Sequence, residues 1–302
     1  MLAPEAVAEA ARRLVGDGFS ESDVQQLTLL HAQHLHALGR RVRLRQRVVA
    51  TACVFFHRFF AVRTFLEHDP LLVAPTVLWM ASKVEECTVS PKTIVREMAH
   101  LGLRGNEYEA SQLLAAEYVV LEVLMPFGLT VEHPHASLAR LLAEADLRRH
   151  VGVERSDCLV QTATFLANDA CRAPEIALCC SPRVVALCCA LVAALLEHVP
   201  LRTLLPLSPS SAEEHDAIER VAASLLSLYN GLHGGGGRGG PTAAPAGSAS
   251  RPPPDVGHTH ERLTEFWAGA LLDESGSGGA TREGSSQVRT ASCAGGRSVG
   301  PL

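Results

Sequence analysis

The chain has 302 residues, 47% apolar and 5% aromatic, with a formal net charge of −5 and a pI near 6.3. That length supports one large domain or two modest ones, and a core so poor in rings must be built from Leu, Val and Ala, which favours packed helices over sheets. The acidic balance argues against gripping nucleic acid by bulk charge, and the longest apolar run, residues 184–196, is shorter than the ~20 residues that cross a bilayer.

Residues 1–11 carry Glu5 and Glu9 and no basic residue ahead of an apolar stretch. They do not read as a secretory signal, and a soluble intracellular chain with an N-terminal extension over 1–20 is expected. Ser20 or Ser22 can cap a helix that runs to Leu38 and stops at Gly39. A second helix is predicted over about 44–62, and Asp69–Pro70 opens a third that reaches Glu86. Ser90–Pro91 places a capping hydroxyl before a proline in the first turn of a fourth, which Gly102 ends. The fifth spans about 106–124 and is closed by Pro126. After His133–Pro134 the pattern restarts, with helices over about 136–147, 156–171, 182–197 and 210–228 and a weak one at 201–204. No window alternates with period two for long enough to read as a strand.

In each half a proline opens a helix that is apolar nearly all round, residues 70–83 and 182–196, and such a helix must be surrounded by others. The expectation is an all-α protein of two tandem five-helix bundles, residues 21–130 and 131–232. Sixteen of the 24 glycines follow His233. With Pro252–Pro254 and much Ser and Arg, residues 233–302 read as a disordered tail, interrupted by a helically spaced apolar cluster at 263–271 that could dock on a partner.

The residues that bear chemistry are scattered. The nine cysteines include the adjacent pairs Cys179–Cys180 and Cys188–Cys189 in apolar sequence, and none forms a CxxC pair with partner histidines. They read as small buried hydrophobes, with no metal site. His31, His34 and His36 share one helix, where a solvated or half-buried face is expected rather than a ligand set. Arg40, Arg41, Arg43, Arg45 and Arg47 read as a solvated helix junction that complements a helix C-terminus, with a nuclear-import or nucleic-acid patch as the alternative. No Gly-rich phosphate loop precedes a helix and no GxSxG is present, so catalytic residues, cofactor and small-molecule substrate are all expected to be absent. Lys83 stands out, because the chain has only two lysines against 25 arginines. It ends an apolar helix, and Glu117 lies in the middle of the fifth helix among Leu113, Leu114, Val119 and Val120. The two suit a partly desolvated pair aimed at a partner.

Three segments carry a family likeness: Leu44 to Phe60, centred on Ala50-Thr-Ala-Cys-Val-Phe-Phe56; Asp69-Pro-Leu-Leu-Val-Ala-Pro-Thr76; and Ala81-Ser-Lys-Val-Glu-Glu86. Together they resemble a cyclin box, and within the cyclin family the C type is most similar. His133–Pro134, Asn168–Asp169, residues 178–189 and 225–229 extend the likeness over roughly residues 21–232. The resemblance implies a fold of two five-helix bundles and a non-catalytic role in binding and activating a cyclin-dependent kinase. It further implies that Lys83 and Glu117 pair and contact the regulatory helix of that kinase. Met80, Val84 and Tyr118 would then pack the apolar part of the interface, and Glu85 and Glu86 would face its basic rim. Asn168, Asp169 and Tyr229 match a groove that C-type cyclins use toward a Mediator subunit, although an aromatic expected at Thr164 is missing. The segment Leu27-Thr-Leu-Leu-His31 lacks the arginine of the substrate-docking motif of cell-cycle cyclins, so that docking is not inferred.

Transcription by RNA polymerase II, the Mediator kinase module and a nuclear location follow from the same resemblance, with no direct nucleic-acid or membrane partner. The nearest alternative is another transcriptional cyclin, of the H, K, L or T type. A promoter-binding factor of the transcription factor IIB type, also built on paired cyclin folds, should be basic and open with a zinc ribbon. This chain is acidic, and no cysteine precedes Cys53.

Overall fold

The computed structural model describes residues 2–16, 18–102, 108–145, 147–197, 199 and 212–233. Regular structure among them is entirely helical: α1 (Pro4–Gly16), α2 (Glu21–Arg41), α3 (Gln46–Phe60), α4 (Pro70–Val84), α5 (Pro91–His100), α6 (Ala110–Leu124) with a 3₁₀ turn at Met125–Phe127, α7 (Pro134–Glu144), α8 (Leu147–Val151), α9 (Val153–Ala170), α10 (Pro174–Cys179), α11 (Pro182–Leu196) and α12 (Ala212–His233). The predicted helix at 201–204, the first residues of the predicted fifth and ninth helices and the cluster at 263–271 lie outside the described residues.

Local chemistry accounts for most helix starts. The Ser20 hydroxyl accepts from the Asp23 amide while the Asp23 carboxylate accepts from the Ser20 amide, a capping box that opens α2. Asp69, Ser90 and Ser181 cap α4, α5 and α11, and each is followed by a proline whose missing amide costs nothing in the first turn. Gly102, at φ +70°, follows the end of α5.

Packing then sorts the helices into two groups. α2, α3, α5 and α6 surround α4, twelve of whose fifteen residues are buried. α7, α9 and α12 surround α11, whose Val184–Ala190 stretch is buried on every side. The first group holds the aromatic core, with Phe55, Phe56, Phe59 and Phe65 fully buried. The second is built from Leu, Val, Ala and Cys.

Three expectations change. α2 does not stop at Gly39 but continues to Arg41. A Cβ on Gly39 would stand 2.4 Å from Val49 Cγ2, so the glycine allows α2 to approach α3 rather than ending a helix. Gly39→Ala should therefore destabilise by about 1–3 kcal/mol through overpacking, against a helix-propensity gain of about 1 kcal/mol. Urea denaturation would measure the loss, and adding Val49→Ala should restore much of it. The histidine face is the second change. His31 is 0% and His36 6% exposed, because this side of α2 presses on the rings of α3 and its neighbours: His31 lies 5.7 Å from Phe56 and 6.4 Å from Phe65. Third, residues 1–20 are not a bare extension. α1 packs on α2 and α10, the Leu2 amide donates to the Leu178 carbonyl, and Arg13 donates to the Val62 carbonyl at 3.1 Å.

Candidate functional site

Lys83 occupies the last turn of α4, and Trp79 one turn earlier supplies a ring whose centroid is 3.8 Å from the ammonium. The Lys83 Nζ also donates to Glu117 Oε1, because α4 and α6 lie side by side. Their side chains keep 36% and 23% exposure, so the pair sits at the surface, partly shielded from water. The structure thus joins two residues that lie 34 positions apart.

Beside that pair, α6 presents apolar side chains to solvent. Tyr118 is 78% exposed, Leu114 46% and Met125 62%, spaced four and seven residues apart so that they line one stripe. The 18-residue window Ala110–Phe127 is long and apolar enough to pass for a membrane span, which residues 184–196 were not. Only its inner face, with Leu113, Val120, Val123 and Leu124, is used by the core. A helix bearing a charged pair at its middle and an exposed apolar stripe beside it fits a protein-docking surface better than a lipid-facing one.

The other residues expected on this surface divide. Val84 is half-buried, and Glu86 is exposed with φ +54° in the turn after α4. Met80 is 3% exposed and packs into the first bundle, so it props α4 from below instead of presenting itself. Glu85 turns inward. One carboxylate oxygen accepts from the Thr51 hydroxyl at 2.7 Å and the other from Arg47 Nε at 2.6 Å. Thr51 is also 2.8 Å from His133 Nε2. A carboxylate can only accept, so the Thr51 proton goes to Glu85 and the His133 ring donates to the Thr51 oxygen. This relay ties α3 and the end of α4 to the residue that opens α7, and Glu86 alone is left to face outward.

In the second bundle, Asp169 accepts from Tyr229 Oη at 2.7 Å and pairs with Arg172 at 3.1 Å, while Asn168 Oδ1 meets His135 Nε2 at 2.7 Å. Burial first, and then the Asp169 carboxylate, push the Tyr229 phenol above its usual range. These side chains knit α7, α9 and α12 together. Thr164 returns its hydroxyl to the Val160 carbonyl, and the neighbouring Phe165, 49% exposed, supplies an aromatic one position on.

One grouping has no sequence signal. His36 of α2, Cys53 of α3 and Cys171 at the end of α9 bring their Nε2 and Sγ atoms within 4.8 Å of one another. No CxxC-type spacing marks them, because the two cysteines lie 118 positions apart.

Comparison with known proteins agrees with this architecture. A family profile described as the cyclin N-terminal domain matches residues 23–126. Cyclin-C of Rattus norvegicus is 30% identical over 219 residues, covering 70% of this chain and 74% of that protein. The chain belongs to the cyclin family. Cyclin-C1-1 of Oryza sativa subsp. japonica is 34% identical over 166 residues, 54% of this cyclin and 60% of the rice protein. In fold, this cyclin is similar to a chain of the CAK complex from Chaetomium thermophilum bound to ATP-gamma-S (TM-score 0.59, 16% identity, 93% of this chain and 89% of that one). It is also similar to a chain of the yeast TFIIK complex (TM-score 0.56, 20% identity, 72% and 92%). Cyclins are regulatory subunits without catalysis of their own, and this one is cyclin C-like. A promoter-binding factor of the transcription factor IIB type is set aside accordingly.

Proposed function

We propose that this cyclin binds and activates a cyclin-dependent kinase through the end of α4 and the outer stripe of α6. Lys83, Glu117, Tyr118, Val84 and Glu86 form the contact, with Leu114 and Met125 added by their exposure. The observation that carries the reading is the Lys83–Glu117 pair set beside an exposed apolar stripe. A desolvated charge pair fixes register, and flanking rings and aliphatic chains supply buried area. Binding there would hold the kinase's regulatory helix in the position that completes its ATP site. Residues 21–130 are the kinase-binding half and residues 131–232 the half open to further subunits.

The complex works in the nucleus, in transcription by RNA polymerase II, as the cyclin of a Mediator kinase module. Support comes from the C-type relatives, and from Asn168, Asp169 and Tyr229 lying in one region of the second bundle. The purified cyclin should show no phosphotransferase activity alone and should raise that of its kinase by orders of magnitude. Co-purification from nuclear extract, mass spectrometry of the bound kinase and assay with and without added cyclin test this. Robust phosphorylation by the isolated chain, or a kinase equally active without it, would refute the reading.

A further inference from the structure

The grouping of His36, Cys53 and Cys171 is not used by the docking surface, and its chemistry is specific. The residues are 6%, 0% and 9% exposed, so the set is buried. His36 Nε2 stands 3.7 Å from Cys171 Sγ. Two ligands bound to one tetrahedral ion at ~2.3 Å for sulfur and ~2.0 Å for nitrogen lie about 3.5 Å apart, close to this His36–Cys171 separation.

The backbone that carries Cys171 is also held. The Cys171 carbonyl can only accept, so His57 donates to it from Nε2 at 3.0 Å and holds the end of α9 against α3. Next in sequence, Arg172 is anchored on Asp169, which itself accepts from Tyr229.

We propose that His36, Cys53 and Cys171 bind one Zn²⁺ across the junction of the two bundles, with a water in the fourth position. Charge selects a divalent ion. Both thiols release their protons to solvent on binding, and two thiolates, a neutral imidazole and Zn²⁺ sum to zero, which a buried site requires. Soft sulfur donors exclude Mg²⁺ and Ca²⁺, and Cu⁺ on the same set would leave a net negative charge in the interior. The ion would rivet α2 and α3 to the end of α9, making the angle between the bundles depend on metal.

The test uses the full chain, purified under reducing conditions and titrated with Zn²⁺ against a chromogenic chelator. One equivalent should bind, raising Tm by roughly 5–10 °C at a hundredfold excess over Kd. Cys53→Ser, Cys171→Ser and His36→Ala should each lose ~100-fold or more in affinity, whereas Cys189→Ala, which removes a buried cysteine elsewhere, should not. Should a variant fail to fold, X-ray absorption on the Zn²⁺-loaded wild-type chain decides without it, and should show two sulfur ligands at ~2.3 Å and a nitrogen at ~2.0 Å. Uptake well below one equivalent, or an oxygen-only coordination shell, would overturn the proposal. So would a reduced chain that ignores Zn²⁺ while the air-purified chain is two hydrogens lighter with Cys53 linked to Cys171, which would make the pair a disulfide.

Discussion

Lys83→Glu is expected to weaken association with the partner kinase by about 30- to several-thousand-fold while the cyclin stays folded. The substitution sets a carboxylate against Glu117 and over the Trp79 face, turning two attractions into repulsions. In the free chain the pair is about a third exposed and solvent-screened, so its loss costs the fold about 1 kcal/mol at most. Under a docked partner the same groups lose water, and truncating one member of an interfacial charge pair costs about 2–5 kcal/mol, at 1.4 kcal/mol per decade of Kd. Circular dichroism would check the fold and titration with purified kinase the affinity. Wild-type affinity with an intact fold would reduce Lys83 to a solvated helix end.

Acid should loosen the junction between the bundles. Burial holds the His133 imidazole down to about 4, with Glu85 opposing the shift and His135 and Arg47 reinforcing it. Around the ring stand Thr51, Glu85, Arg47 and His135. An unfolded histidine takes up its proton near pH 6.5, and the folded one does so only near 4. The unfolded state therefore binds the extra proton as pH falls between these values. Stability from this residue is complete above about pH 6.5 and drains toward pH 4, roughly 3 kcal/mol in all. His133→Gln, which keeps a donor for Thr51 and cannot titrate, should remove up to about 1.4 kcal/mol per pH unit of slope from urea unfolding between pH 6.5 and 4. An unchanged slope would show that the ring protonates freely in the native state.

Helix starts were the most legible part of the sequence, since Ser20, Asp69 and Ser90 act on amides two or three residues away. Local signals also led to the two central helices, because an all-round apolar stretch has few places to go. What escaped was set by contacts distant in sequence. Gly39 carries the same letter whether it ends a helix or admits Val49, and only the approach of α3 distinguishes the two. Glu85 and Glu86 read alike as an acidic pair until the fold turns one toward Thr51 and Arg47. Lys83 and Glu117 could be singled out as charges in apolar company, while their pairing was implied by the cyclin resemblance. His36, Cys53 and Cys171 could not, since each taken singly is an ordinary core residue.

α1 is synthesised well before its sites exist. Its anchors, the Val62 carbonyl for Arg13 and the Leu178 carbonyl for Leu2, belong to opposite halves of the chain. As a nascent chain emerges at ~5–20 residues per second, α1 would wait at least several seconds, its apolar face unpaired, before Leu178 exists to receive it. Loop closure over so long a separation adds little free energy but much delay. This early-made segment is then among the last to take its place, and an interrupted or slowed synthesis would leave this strip of surface open to other hydrophobic partners.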